Sequence, residues 1–226
     1  MPHITRRTSA VAGLLVAPVF VGIIILVTLI ERDFLSSLGW SLTGNNEVPY
    51  PSAIARGDVG FLQELNFAVT ATLAGVFAVG FRREFRRRVA GLVATAGFCL
   101  VVVGVLLNLA PTDLPDEPTT WHGNVHVIGF LITVLGWVIA YSASGLALRG
   151  NPAWRGWRLV GWTPVLLVLI FLAAGLLPGD VGFCLFILVG FGWYTVMGGR
   201  LLALDRAARD QQVVASLPDP AAPGLL

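Results

Sequence analysis

The sequence has few charged residues, few cysteines and no lysine. Charged residues make up 12% of its 226 positions, 56% are hydrophobic, and the mean hydropathy is +0.79. An average soluble domain has about 25% charged residues, so this composition excludes a soluble globular protein and indicates an integral membrane protein. The two cysteines, Cys99 and Cys184, fall at different depths of separate apolar segments. A disulfide between them is therefore not expected.

Long apolar runs make up most of the chain. Six of them are long enough for a helix of about 20 residues to cross a hydrocarbon core of about 30 Å. They lie near residues 10–30, 61–81, 89–110, 123–147, 159–177 and 182–203. None alternates like a membrane β-strand, and unpaired backbone is not tolerated in lipid. The sequence thus predicts an all-α polytopic membrane protein: a compact bundle of six transmembrane helices over residues 1–205, then a disordered cytoplasmic tail over 206–226.

Arginine supplies every basic side chain, and its distribution predicts the topology. Arg clusters precede the first apolar segment, join the second to the third and the fourth to the fifth, and follow the sixth. Because basic residues stay on the cytoplasmic side during insertion, both termini are predicted to be cytoplasmic. The clusters also suit contact with anionic headgroups, so membrane lipids are the expected partners and nucleic acid is not.

The most polar stretch is "PTDLPDEPTTWHGNVH" at 111–126, which this topology places on the outer surface. His122 and His126 share one helix face because they are four residues apart. Asp113 ends the third segment across a short loop, where it can approach both histidines. Asn124 lies between the two histidines in the chain. The stretch therefore predicts an outward-facing polar site.

The second segment adds polar residues near the same surface. It begins "FLQELNF", which places Gln63, Glu64 and Asn66 within its first two turns. An ionisable group inside a membrane span is costly unless it is paired, protonated or facing a wet cavity. We therefore expect Glu64 to pair with His122 or His126.

Three interpretations of these residues remain open. In the first, the loop is simply solvated and the histidines are interfacial residues with satisfied hydrogen bonds. In the second, Glu64, His126 and Asp113 form a catalytic acid–base site in a low-dielectric pocket. The ligand-binding candidates around it are Gln63, Asn66, His122 and Asn124.

The third interpretation is a metal site. His122, His126 and a carboxylate from Asp113 or Glu64 resemble a two-histidine, one-acid zinc site with an open position for water. Zinc or another divalent metal is then the expected cofactor. Haem with two histidine ligands is excluded because those ligands must approach the iron from opposite faces, and both histidines lie on one helix.

Four short motifs resemble a known family. "YPS" at 50–52, "GDVGFLQELNF" at 57–67, "PTD" at 111–113 and "HGNVH" at 122–126 are similar to the bacterial six-helix membrane family catalogued as domain of unknown function 998. The resemblance implies a multi-pass protein of the bacterial cytoplasmic (inner) membrane. It also implies that the family's polar motif positions correspond to Gln63, Asn66, Asp113, His122 and His126.

The leading functional hypothesis is an outward-facing polar pocket that binds an amphipathic or lipid-like molecule. The first external loop, roughly 31–60, is expected to cover this pocket. The pocket could also modify that molecule by acid–base or metal-assisted chemistry, and the sequence leaves open whether the protein is an enzyme. The alternative is a non-enzymatic small transporter or partner-binding subunit. The apolar inner halves of the segments disfavour a transporter. A small-residue stripe could serve either a partner or internal packing; it comprises Gly91, Ala94, Gly97 and Gly104.

Overall fold

The computed structural model describes residues 4–44, 48–174, 176–177 and 179–216, and within them every regular element is helical. The α-helices are α1 (Arg6–Ile30), α2 (Arg32–Ser37), α3 (Phe61–Phe81), α4 (Arg88–Leu107), α5 (Trp121–Ala147), α6 (Thr163–Ala174) and α7 (Val181–Ser216). Short 3₁₀ helices cover Ser52–Arg56, Arg82–Glu84, Pro152–Trp154 and Trp157–Trp162.

Five of these helices are long and apolar enough to cross a membrane: α1, α3 with the 3₁₀ turn that follows it, α4, α5 and α7. The all-α prediction is confirmed, and the predicted boundaries of α3 match those observed. The predicted fifth segment, 159–177, contains only the 12-residue helix α6. It follows the 3₁₀ helix Trp157–Trp162. Pro164, the second residue of α6, suits the first turn of an α-helix because its missing N–H has no helical partner there.

The helices form a closed ring. α1 packs between α3 and α7, α4 packs between α3 and α5, and α6 packs between α5 and α7. α4 and α5 approach each other closely, because a Cβ atom on Gly97 would overlap Ala140. The small-residue stripe of α4 is therefore used for packing inside the bundle.

Aromatic side chains fill the interior of the ring. Tyr141 stacks on Trp193 with ring centroids 4.2 Å apart, and Phe77 and Phe98 meet the same indole edge-on or tilted. The Tyr141 hydroxyl donates to the carbonyl of Gly190 at 2.6 Å, which satisfies a polar group buried among aromatic rings. Leu, Ile and Val side chains cover the outer faces of the long helices, as expected where lipid is the solvent.

Two ends of the bundle can be distinguished. At one end the Arg200 guanidinium donates to the carbonyl of Ala153 at 2.5 Å, which joins α7 to the connection between α5 and α6. At the other end the Asp180 amide donates to the carbonyl of Leu42, which joins the start of α7 to the loop after α2. We call these the Arg200 end and the Asp180 end.

The last helix extends past the predicted sixth segment. α7 continues to Ser216, so residues 206–216, which the sequence assigned to a disordered tail, are helical. The remainder of that tail, 217–226, lies outside the described residues.

Candidate functional site

His126 lies at the Asp180 end with both ring nitrogens hydrogen-bonded. It is 7% exposed, on the inward face of α5. Its Nδ1 atom is 2.8 Å from the carbonyl oxygen of Ala110, just after α4, and its Nε2 atom is 2.7 Å from Oγ of Ser52 in the first external loop. A carbonyl oxygen can only accept, so Nδ1 carries the proton and Nε2 accepts from the serine hydroxyl.

Asp113 is bound to the start of α5. Its carboxylate accepts from the Thr120 hydroxyl at 2.6 Å and from the Thr120 amide at 2.9 Å, while Thr120 also caps α5 by accepting from the amide of Gly123. The hydrogen bond from the Thr120 hydroxyl, supported by the Thr120 amide, lowers the pKa of Asp113 below its usual value. A Cβ atom on Gly123 would overlap this carboxylate, which explains why glycine suits the second position of "HGNVH". Asp113 therefore acts here as a helix-start anchor.

The loop between α2 and α3, predicted to be the first external loop, contacts the connection between α4 and α5. Arg56 donates to the Thr112 carbonyl at 3.1 Å and forms an ion pair with Glu117 at 2.7 Å. On its other side the loop is held by Glu31, whose buried carboxylate accepts from the Val59 amide at 2.5 Å. The loop is thus attached to the bundle at two points that follow Ser52 in the chain, Arg56 and Val59.

Three predicted site residues lie apart from His126. Glu64 is exposed, and among the described residues no ion pair or hydrogen bond joins it to His122 or His126. Both nitrogens of His126 have other partners. The His122 ring lies against Trp121 at a tilt of 33°, with ring centroids 3.6 Å apart, and His122 is near enough to Asp113 to contribute weakly to its lowered pKa. Asn124 is exposed at the start of α5. These side chains lie at the start of α3 or α5 and are exposed or partly exposed, outside the buried network of His126.

Gln63 and Asn66 form a separate buried pair between α3 and α1. The Asn66 amide donates to the carbonyl of Phe20 at 3.0 Å and to Oε1 of Gln63 at 3.1 Å, and it accepts from Thr70. Gln63 is 0% exposed, and its Nε2 atom has no hydrogen-bond partner within the described ranges. The pair fixes α3 against α1, next to Phe67, whose ring meets His126 edge-on.

The predicted metal site does not form. Nowhere in 4–44, 48–174, 176–177 or 179–216 do three or more His, Cys, Asp or Glu side chains lie close enough together to hold a metal ion. The proposed set of His122, His126 and Asp113 fails for a local reason. His126 points inward to Ser52, whereas Asp113 is turned towards Thr120 at the helix start.

An apolar groove lies beside this network, between α1 and α7. Its volume is about 390 Å³, within the range of small-molecule pockets. The walls are aliphatic, with Ile25 and Leu29 from α1 facing Leu185 and Leu188 from α7. All four of these side chains are also exposed on the outer surface of the bundle, so the groove opens sideways, towards the space that lipid occupies.

Polar aromatic groups close the groove at the Asp180 end. Trp40 stacks on Tyr50 with ring centroids 4.4 Å apart and donates its indole N–H to Asp180 at 2.6 Å. The Tyr50 hydroxyl lies 3.1 Å from that of Thr28. Burial raises the pKa of Tyr50 above its usual value, so its hydroxyl is neutral at physiological pH. The rim is therefore an uncharged hydroxyl pair beside the Trp40–Asp180 hydrogen bond.

The sequence analysis missed Ser52, Trp40 and Tyr50 as site residues. The motif "YPS", one of the four that resemble the family, contains both Tyr50 and Ser52. Trp40 is a tryptophan near a predicted membrane interface, where this residue is common as an anchor. The sequence alone does not tell whether such a tryptophan lines a groove or contacts lipid. Only the path of the loop shows that these residues meet α1, α5 and α7.

The apolar outer surface, the five long helices and their connections define a multi-pass helical membrane protein. A family model matches residues 11–199, and the chain belongs to that family, which is described as "Protein of unknown function (DUF998)". The resemblance inferred from the four motifs is thereby confirmed at the level of the family. No curated protein and no solved structure matches the chain.

Proposed function

We propose that the protein binds one amphipathic, lipid-like molecule at the Asp180 end of the bundle. The hydrocarbon chain of the molecule lies in the groove between α1 and α7, and its polar group lies at the rim formed by Thr28, Trp40 and Tyr50. The observation that carries this proposal is the groove itself: about 390 Å³ of aliphatic space with polar groups at one end only.

The sideways opening favours a ligand that comes from the bilayer. The exposed edges at Ile25 and Leu188 are apolar, so a water-soluble ligand would have to cross a lipid-covered surface to enter. A lipid chain replaces bilayer contacts with similar contacts to the groove walls. Its selectivity then comes from the rim, where the Tyr50 and Thr28 hydroxyls can donate to or accept from a headgroup.

The same geometry supports six membrane crossings. α7 begins at Val181, beside the Leu42 loop, and reaches Arg200 about 30 Å further on, beside Ala153. The chain from 154 to 180 must cover that distance in the opposite direction. Its 3₁₀ helix of six residues and α6 of twelve together span about 30 Å.

We further propose that the Arg200 end is cytoplasmic. Basic residues concentrate there, in the α3–α4 connection, in the α5–α6 connection and after residue 200. With six crossings, both termini lie on this side and the groove rim faces outwards. The family resemblance favours the bacterial inner membrane, and membrane lipids are the partners that the groove and the Arg clusters would contact.

The structure gives less support to a partner-binding subunit. Its small-residue stripe on α4 packs against α5, with Gly104 in close contact with Gly129 and Thr133. A transporter is also less favoured, because Tyr141, Trp193 and their neighbouring rings fill the interior that a substrate would have to cross.

Photo-crosslinking tests the proposal directly. We expect a phospholipid with a diazirine on its acyl chain, incorporated with the protein into nanodiscs, to crosslink preferentially to peptides of α1 and α7 that border the groove. Leu188→Trp fills the groove and should reduce this crosslinking about tenfold. Val196→Trp is the matched control, since Val196 is a lipid-facing residue of the same helix outside the groove.

Crosslinks spread evenly over all lipid-facing helices would contradict the proposal. The same conclusion would follow if Leu188→Trp and Val196→Trp gave equal yields while both variants remained folded.

A further inference from the structure

We infer that Ser52 and His126 form a nucleophile–base pair that cleaves a carboxylic ester of the lipid-like molecule in the groove. The inference rests on the proposed function, because the groove supplies the substrate. The inference requires neither a pair between Glu64 and a histidine nor a bound metal ion. The pair is defined by the 2.7 Å contact between Nε2 of His126 and Oγ of Ser52, two residues 74 positions apart in the chain.

The hydrogen bonds of His126 leave it in the tautomer that a general base requires. Ala110 accepts the proton of Nδ1 through its carbonyl, which places the free lone pair of Nε2 towards Ser52. A serine hydroxyl held 2.6–3.2 Å from such a nitrogen has the geometry of an activated nucleophile. A purely structural serine could equally have bonded a backbone carbonyl, as Ser9 does with Phe77 in this bundle.

Ser52 lies where a bound chain could reach it. It lines a small interior cavity of about 40 Å³, with Phe67 and Phe130 among the apolar walls. Pro51 and Ile187 border both this cavity and the α1–α7 groove, so the two spaces are neighbours. The cavity is too small for a chain but has room for a water molecule or the reacting ester group.

The reaction is an ester hydrolysis and needs water as its only co-reactant. The Ser52 oxygen attacks the ester carbonyl carbon while its proton moves to Nε2 of His126, and the imidazolium then protonates the leaving alcohol as the carbon–oxygen bond breaks. This yields an acyl group on Ser52. Water attacks that acyl ester and gives a proton to His126, which returns it to the Ser52 oxygen as the bond between that oxygen and the acyl carbon breaks. The carboxylic acid is released, and Ser52 and His126 are restored.

The group that accepts the Nδ1 proton of His126 differs from that of a catalytic triad. Nδ1 of His126 faces a backbone carbonyl instead of a carboxylate. A neutral carbonyl holds the same tautomer but stabilises the imidazolium less. Asn108 is the amide side chain on the cavity wall, and its Nδ2 atom donates one proton to Gly104. We assign its second proton to the developing oxyanion.

The expected activity is slow relative to a triad hydrolase, because the Ala110 carbonyl stabilises the imidazolium less than a carboxylate would.

A fluorophosphonate with a long alkyl chain is the probe, because phosphonylation of an activated serine leaves a stable adduct. The full-length protein in nanodiscs is treated with this probe, and the modified peptide is identified by mass spectrometry. We expect one adduct, on Ser52. Hydrolysis of a chromogenic long-chain ester is measured in parallel.

Matched variants separate the role of each group. Ser52→Ala should abolish both adduct and hydrolysis, whereas Ser36→Ala, an exposed serine at the same end, should change neither. His126→Gln removes the base but retains hydrogen-bonding capacity, and should slow labelling about 100-fold. A short-chain fluorophosphonate should label Ser52 more slowly than the long-chain one, because it gains nothing from the groove.

Absence of a Ser52 adduct on the folded wild-type protein would overturn the inference, whatever the variants do. If the acyl-chain crosslinks in the groove persist in that case, the binding proposal stands and only the chemistry is rejected. An adduct on Ser52 that forms equally fast in His126→Gln would also reject the nucleophile–base assignment.

Discussion

Arg56 and Glu117 lie 61 residues apart in the chain and form an ion pair with 2.7 Å between nitrogen and oxygen. The pair attaches the first external loop to the α4–α5 connection, and each side chain is about one third exposed, at 31% and 34%. The loop also carries Ser52 and Tyr50, so the position of both site residues depends on how firmly the loop is held.

The first prediction concerns the strength of this attachment. A double-mutant cycle of Arg56→Gln and Glu117→Gln should give a coupling free energy below about 1 kcal/mol, because both groups are partly solvated. Raising the salt concentration should decrease it further. Thermal unfolding in detergent provides the measurement. A coupling of several kcal/mol would mean that the pair is far less solvated than its exposure indicates.

The second prediction concerns the buried carboxylate at the Arg200 end. Glu84 accepts from Arg6 at 2.6 Å and from the Trp154 indole at 2.9 Å. Glu84→Ala leaves these donors without an acceptor and should destabilise the protein by about 3 kcal/mol. Asp205→Ala is the control, since Asp205 pairs with Arg209 on the partly solvated surface of α7 and its loss should cost less than about 1 kcal/mol. Equal costs for the two variants would contradict the buried network.

The third prediction separates the two amides between α1 and α3. Gln63→Leu removes an Nε2 donor that has no partner in the described structure, but also the Oε1 acceptor of one Asn66 hydrogen bond, so the free energy of unfolding should change by less than about 1 kcal/mol. Asn66→Leu removes the donor to Phe20 and should cost about 1–3 kcal/mol. Chemical denaturation of the two variants in the same detergent decides it. A larger loss for Gln63→Leu than for Asn66→Leu would show that Gln63 has a hidden partner.

The fourth prediction is a pH dependence at Asp113. Its pKa is lowered in the folded protein by the Thr120 hydroxyl and amide, so its stabilising effect is complete above the unfolded pKa of about 3.9 and is lost as pH falls through the folded value. The stability difference between wild type and Asp113→Asn should therefore be constant near neutral pH and shrink below about pH 4. Asp116→Asn controls for the loss of one surface charge. A difference that instead grows on acidification has the wrong sign.

The fifth prediction tests the topology. Single cysteines are introduced at Asp116, Arg155 and Arg206 in a background of Cys99→Ala and Cys184→Ala. A membrane-impermeant maleimide should label Asp116→Cys in intact cells, and the other two only after permeabilisation. If α6 did not cross the membrane, Arg155 and Arg206 would lie on opposite sides, and one of them would be labelled in intact cells.

Hydropathy predicted most of the fold because lipid imposes a simple length rule. The boundaries of α3 follow directly from an apolar run between "GDVG" and "RRE". α6 is the exception, since the run across 159–177 contains Gly161 and Pro164, which favour a 3₁₀ entry and a shorter α-helix. A hydropathy average registers that Gly161 and Pro164 are uncharged, but it does not register their effect on the backbone conformation.

The site was predictable in part, for a different reason. The position of His126 near the Asp180 end of the bundle was predictable because it follows from its position along α5. Its partner Ser52 was not predictable, because the contact depends on the path of a loop without periodicity. The position of Glu64 could have been predicted: Gln63, Asn66 and Thr70 follow helical spacing on one inward face, and Glu64 is rotated by about 100° from Gln63.

The length of α7 has a mechanical consequence. Its 36 residues form a rod of about 54 Å, whereas the hydrocarbon core is about 30 Å thick. A tilt within the usual limit of about 40° does not absorb this difference, so the Ser216 end must project beyond the bilayer. A rod held near its middle moves its two ends in opposite directions. If α7 pivots there as a rigid rod, widening of the groove at Val181 would swing the projecting end inwards towards α1. Occupancy of the proposed groove site on one face of the membrane would then be coupled to the position of a charged helix on the other.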